Sequence, residues 1–200
     1  MYTILEKDML TPTICRMKVS APRIAEAAKP GQFLIVIDNP KGERIPLTIS
    51  DYDAAAGTVD IVTQSVGAST MKIVAKNPGD CFSDVVGPLG KHSDFIDLAP
   101  EELKNLSFVF IAGGVGTAPV YPQAKWLHEH GAHVEVIIGA RNKELKMKKV
   151  ILSVVALAAI SLSASAQVSV GAGYLNDATK SVYKVSNTST ENSWCSNGFY

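Results

Sequence analysis

The chain is short of cysteine, of net charge and of long apolar runs. Its three cysteines, Cys15, Cys81 and Cys195, stand far apart in 200 residues. That spacing fits neither a disulfide framework nor a zinc site. Cys15 and Cys81 sit among apolar neighbours and are expected to pack as small hydrophobes. Nineteen Lys and Arg balance nineteen Asp and Glu, so composition gives no electrostatic case for DNA or any other nucleic acid as a partner. The apolar run at residues 150–162 is shorter than the ~20 residues that a membrane-spanning helix needs. His128, His130 and His133 lack the i, i+4 spacing that sets two metal ligands on one helix face; the expectation is no metal site and a favourable charge at a helix C-terminus. The length suits one large domain or two small ones.

What is present begins with Val109-Phe110-Ile111-Ala112-Gly113-Gly114-Val115-Gly116-Thr117-Ala118-Pro119. An apolar strand, expected over residues 108–112, runs into three glycines and then a helix expected over 119–130. Val120, Ala124 and Leu127 carry helical spacing. Thr117 is the expected N-cap, Pro119 suits the first turn, and Gly131 marks the stop. A glycine turn ahead of a helix N-terminus lets backbone N–H groups approach a phosphate. The spacing is not the Gly-x-Gly-x-x-Gly fingerprint, so an ordinary tight turn stays open beside the nucleotide reading. A second strand is expected at residues 134–138, which makes this the opening of a parallel α/β sheet.

The region before it reads as β-rich up to about Asp97. Thr13, Cys15, Met17 and Val19 alternate with Arg16 and Lys18, the period of a half-buried strand. Further strands are expected at residues 32–37, 46–50 and 58–63, with turns at Pro30-Gly31, Asn39-Pro40-Lys41-Gly42 and Gly57. Short strands with regular turns describe a small antiparallel barrel.

Barrel first and α/β unit second, with five motifs in order, resembles the ferredoxin–NADP reductase superfamily, and within it the electron-transfer subunits. The motifs are Pro30-Gly31-Gln32-Phe33, Arg44-Ile45-Pro46-Leu47-Thr48-Ile49, Gly67-Ala68-Ser69-Thr70, Gly87-Pro88-Leu89-Gly90 and Gly113 to Pro119. The resemblance implies an antiparallel FAD-binding β-barrel over residues 1–100 and a truncated parallel α/β NAD(P)-binding domain over 101–146. It implies that Arg44 pairs with the FAD pyrophosphate, a task for a permanently charged planar fork. Taken without the motif, Arg44 reads as a solvated loop arginine. Pro46, Leu47 and Thr48 would line the isoalloxazine. Gly67, Ala68, Ser69 and Thr70 would open a helix whose N–H groups meet the phosphates; a plain Ser/Thr cap is the alternative. Gly113, Gly114, Val115, Gly116 and Thr117 would face NAD or NADP. Arg141 and Lys143 are either contacts to a 2′-phosphate or solvated loop charges. No catalytic side chain is assigned, since hydride transfer needs no acid or base. The implied function is electron transfer between a nicotinamide dinucleotide and an iron–sulfur protein. The implied partners are ferredoxin or a larger flavin or iron–sulfur subunit.

The text changes after Leu145. A basic cluster, Lys146-Met147-Lys148-Lys149, precedes the apolar run and then Ala164-Ser165-Ala166-Gln167. These are the parts of a secretory signal peptide, and an Asn/Ser/Thr-rich stretch follows. Residues 147–200 are therefore expected to be foreign: a helix over 150–162 and an unordered tail. Residues 1–146 are expected in the cytoplasm, with a membrane as partner only if the tail acts as an export signal. Only Cys195 follows Cys81, so the four close-spaced cysteines of a [2Fe–2S] centre are missing. The alternative readings are an FAD-binding module without turnover, or a chimera whose tail belongs to an exported outer-membrane protein.

Overall fold

The computed structural model describes residues 2–140 and the backbone of two further strands, residues 168–174 and 181–187. The first hundred residues build seven antiparallel strands: β1 (Tyr2–Thr11), β2 (Ile14–Ser20), β3 (Phe33–Ile37), β4 (Arg44–Asp53), β5 (Thr58–Gln64), β6 (Cys81–Phe82) and β7 (Asp84–Leu89). Their order is β6-β1-β2-β5-β4-β3-β7. The two end strands are separated in sequence by Ser83 alone, so the sheet curls into a nearly closed barrel. Closure hides the edges that an open sheet would present.

Alternation decides the inside. Cys15, Met17 and Val19 of β2 are buried, while Arg16 and Lys18 are half-exposed. Thr13 lies outside that alternation, exposed in the turn before β2. Leu34, Val36, Ile49, Val59, Ile61 and Phe82 fill the same core, each large side chain contributing about 1.5–3 kcal/mol by leaving water. Helix α1 (Pro22–Ala27) adds Ile24 and Ala25. Helix α2 (Ala68–Ala75) adds Ile73. The C-terminal carbonyls of α2 receive Lys7 Nζ, at 2.6 Å from Val74 O and 2.7 Å from Lys76 O. A cation at a helix C-terminus is where the dipole favours it.

A short helix α3 (Pro100–Lys104) leads to β8 (Ser107–Gly113), a 3₁₀ turn at Gly114–Gly116, α4 (Thr117–Glu129) and β9 (His133–Ala140). β8 and β9 pair in parallel from Ser107↔His133 to Gly113↔Gly139. Leu103, Leu127 and Ala132 form the small core beneath α4, with Phe108, Phe110 and Trp126 packed on it. Helix α4 ends on Gly131 at φ +80°, with Ala132 N donating to Leu127 O at 3.0 Å. That is a left-handed stop of the kind glycine favours. His130 stacks on Trp126 at 3.7 Å.

Two further expectations differ from the structure. Thr117 is the first residue of α4, not its cap, and makes no capping bond; the helix begins straight out of the 3₁₀ turn, so no extended capping position exists. The tail is not wholly without order: β10 (Val168–Tyr174) pairs with β11 (Ser181–Asn187), and β11 pairs antiparallel with β9. The outer edge of β9 offers unpaired backbone groups, which is what recruits a strand. The expected helix at 150–162, Arg141, Lys143, Met147 and Cys195 lie outside the described residues. Among those described, no helix is long and apolar enough to cross a membrane.

Candidate functional site

The start of β4 and the start of α2 meet. Along β4, Ile45 and Leu47 pack against the barrel core and Ile49 is buried within it. Strand alternation therefore sets Arg44, Pro46 and Thr48 on the outer face. Pairing with β3 fixes them, Arg44 opposite Ile37, Pro46 opposite Ile35 and Thr48 opposite Phe33. Leu47 is on the other side, so only its backbone lies on this surface. The Arg44 side chain is exposed and has no ion pair or hydrogen bond among the described residues.

The joint between the two elements is a side-chain contact. Ser69 Oγ donates to Glu43 Oε2 at 2.5 Å. The turn ahead of Glu43 is braced by Asn39, which receives Lys41 N at 3.1 Å on its side chain and Gly42 N at 2.7 Å on its carbonyl. At the head of α2, Thr70 Oγ1 accepts from Val66 N and Gly67 N, both at 3.0 Å. The first bond of the helix runs from Met71 N to Gly67 O. That leaves the N–H groups of Ala68, Ser69 and Thr70 without helical acceptors, the usual orphans of a helix start. An orphaned helix start and an arginine side chain without a partner among the described residues each attract an anion.

The glycine turn forms a second surface. A Cβ on Gly113 would come within 3.1 Å of Gly139 O, and Gly114 has φ +56°. Both positions favour glycine, one for close strand approach and one for a left-handed turn. Gly116 has open space around it. Thr117 is 4% exposed, and its Oγ1 has no hydrogen-bond partner among the described residues. Buried hydroxyls are normally satisfied; Thr63 Oγ1, on the barrel strand β5, is likewise without a partner among the described residues. The turn rests against β5 and α4 against β4. Lys125 Nζ reaches Asp51 Oδ1 at 2.9 Å across the seam, and Ser93 Oγ donates to Gln123 Oε1 at 2.8 Å.

A cleft of about 780 Å³ lies further along β4, lined by Arg16, Lys18, Asp51, Tyr52, Asp60 and Trp126 among others. None of the residues expected to bind a cofactor lines it. Arg16 reaches Glu6 at 3.1 Å, Asp8 at 3.0 Å and Asp60 at 3.0 Å. Burial pushes the Asp60 carboxyl up to about 6; Arg16 opposes that and Asp51 adds to it. Desolvation outweighs the ion pair there, as it does for most enclosed charges. Glu43, Asp51, Asp60 and Lys125 were not legible as parts of any site, since each matters through a partner distant in sequence.

No family model matches the chain. Its described fold is that of the ferredoxin–NADP reductase-like FAD/NAD-binding proteins, a nearly closed antiparallel barrel followed by a partial parallel α/β unit. It is 34% identical to the NADH-dependent reduced ferredoxin–NADP oxidoreductase solved in a study of flavin-based electron bifurcation, with TM-score 0.65, covering 72% of this chain and 50% of that one. The fold of phthalate dioxygenase reductase is shared at 21% identity and TM-score 0.52, over 68% of this chain and 41% of that one.

By sequence the matched part is similar to proteins named as electron-transfer subunits. It is 37% identical over 142 residues to a dihydroorotate dehydrogenase B electron transfer subunit homolog of Thermotoga maritima, covering 70% of this chain and 48% of that protein. A Clostridium beijerinckii protein described by its position in the adh 3′ region is 58% identical over 145 residues, covering 72% of this chain and 49% of that protein. The chain thus spans about half the length of these relatives.

Proposed function

We propose that residues 1–146 are the flavin-binding part of an electron-transfer oxidoreductase, passing electrons between NAD or NADP and an iron–sulfur protein or subunit. The observation that supports this is the Arg44 side chain, without a partner among the described residues, directly after Glu43, which is tied to the first turn of α2. A structural arginine finds a carboxylate, and Glu43 is next to it, yet Glu43 is turned to Ser69 instead. The arrangement suits a pyrophosphate. Arg44 supplies a charged fork; Ala68, Ser69 and Thr70 supply backbone N–H donors; Pro46 and Thr48 offer a rigid outer strand face for a flat ring. The hydroxyls of Ser69 and Thr70 are already engaged, so their share is through the backbone. Gly113 to Gly116 give a turn that a dinucleotide can approach. When bound, FAD supplies hydride and single-electron chemistry; the chain anchors it, orients it and sets its field.

A second reading is an FAD-binding module without turnover. It is favoured by the glycine turn resting, among the described residues, on two parallel strands, β8 and β9. NADPH-driven dye reduction separates the two readings. We also read residues 147–200 as foreign to the reductase, on the signal-peptide pattern after Lys146. The genomic sequence across codons 145–149 tests that.

The primary test is FAD binding by the full chain and its Arg44→Ala variant, read as flavin absorbance retained after gel filtration. Loss of a charge-assisted fork weakens binding by about 1.5–3 kcal/mol. Equal retention by both proteins removes Arg44 as the clamp.

A further inference from the structure

Strand β8 reads Ser-Phe-Val-Phe-Ile-Ala-Gly, without a charge or a proline. It ends its sheet, whose order is β10-β11-β9-β8, and among the described residues it pairs with β9 alone. One row of its main-chain N–H and C=O groups therefore has no strand to meet. Edges of this kind are normally blunted by a charge, a proline or a bulge. β7, at one end of the barrel order, has both Asp84 and Pro88. β8 has neither, and its register with β9 runs without a bulge. Its outward side chains are also large and apolar, Val109 at 56% exposure and Ile111 at 78%. The later strands of the same chain are placed elsewhere, since β11 fills the other edge of β9 and β10 lies beyond it.

What fits a free edge is another strand, held through the main chain. We propose that the β8 edge docks a second copy of this chain, the two β8 strands running antiparallel about a twofold axis at Phe110. That register sets Val109 of each copy opposite Ile111 of the other and Phe108 opposite Ala112. β8 is complementary to itself in charge, because an uncharged strand brings no like charges together. Each exposed β-branched side chain meets another across the join, and such cross-strand pairs stabilise a sheet. The contact uses the same patch on both copies and closes on itself, so it makes a dimer and not a fibre. Two four-stranded sheets become one. The edge is filled, while the face that carries Val109 and Ile111 stays open to water. One strand pair buries less than the roughly 1,200 Å² of a standard interface, so the dimer is weak and depends on concentration.

The test is sedimentation velocity of the full chain over a wide range of concentration, with Val109→Lys, Ile111→Glu and an equal mixture of the two variants. Both side chains are exposed, so the substitutions leave the fold intact, which circular dichroism checks. The parent should show a monomer–dimer equilibrium. Either variant loses two cross-strand pairs per dimer and places like charges near the axis, so its dissociation constant should rise about tenfold or more. In the mixture the new ammonium of one copy lies directly opposite the new carboxylate of the other, and the dimer should return. A parent that stays monomeric throughout overturns the proposal, as do variants that dimerise like the parent. A mixture that associates no better than its components overturns it too. Hydrogen exchange of the parent needs no variant. The outward β8 amides should gain protection as the protein is concentrated. Full protection in the dilute monomer would mean that the chain's own residues hold the edge, and would also overturn the proposal.

Discussion

Leu34 and Ile111 each stand in the middle of an apolar strand. Leu34 is wholly enclosed, and Ile111 is 78% exposed. The difference is closure. In the barrel, β3 lies between β4 and β7, and its inner face looks onto the opposite wall. In the α/β unit, β8 is the edge of its sheet, and α4 covers only the face that carries Phe108 and Phe110. Val109 and Ile111 look the other way, with no element against them among the described residues. Burial is thus a property of the neighbours a strand acquires, since apolar strands read alike before those neighbours are known.

The sharpest way to break the contrast is to cut both strands. Leu34→Ala should cost about 2–5 kcal/mol, the range for an enclosed leucine, whereas Ile111→Thr should stay within about 0.5 kcal/mol. Urea midpoints measure both. A comparable loss at Ile111 would mean that the open face is covered in solution.

Asp60 gives the next effect. Its carboxyl in the folded chain titrates at about 6 against an ordinary 3.8. Between those values the folded state holds a proton that the unfolded chain has released. Stability is therefore greatest on the acid side and is lost as pH rises through about 6, by about 3 kcal/mol for a two-unit shift. Asp38 acts in the opposite sense. Its hydrogen bond from Lys76 lowers it, so its contribution is present above its ordinary value and disappears only below it, outside the Asp60 window. Melting temperatures from pH 4.5 to 7.5 should fall for the parent and run nearly flat for Asp60→Asn. Arg16 keeps Glu6 and Asp8 in that variant. A parent profile already flat would remove Asp60 as a buried acid.

The smallest effect belongs to the seam. Lys125→Ala removes the 2.9 Å pair with Asp51, whose partners are both about a quarter exposed. Such pairs contribute about 0–1 kcal/mol. Limited proteolysis will be more sensitive than denaturation here. Faster release of a fragment carrying α4, with the barrel intact, is the expected result; identical digestion would mean that apolar packing alone holds α4 on β4.

The barrel was legible because each strand carries its own alternation and its own turn. β2 shows Cys15, Met17 and Val19 against Arg16 and Lys18, and the turn from β4 into β5 closes on Gly57, which has φ +67°. Thr117 was misjudged as a cap because the sequence does not tell where a 3₁₀ turn passes into a helix. Asp60 was invisible for a different reason. Its neighbours Val59 and Ile61 mark it as outward, and only the turn after β4 and the approach of α4 enclose it. The outward placement of Arg44, Pro46 and Thr48, against the inward Leu47, follows from the strand period alone. The engagement of Glu43 with Ser69 does not, since 26 residues separate them.

The order in which the strands lie has a kinetic side. β1 pairs at once with β2, but its other neighbour is β6, and Thr3 and Cys81 are 78 positions apart. Pairings of that separation form late, because the entropy of closing a long loop comes before any reward. On a ribosome the nascent chain will have exposed β1 to β5 well before Phe82 appears to seal the wall. For that interval Ile4, Leu34 and Ile61 belong to an open trough with two bare edges, which is when this chain is most exposed to pairing with another copy of itself.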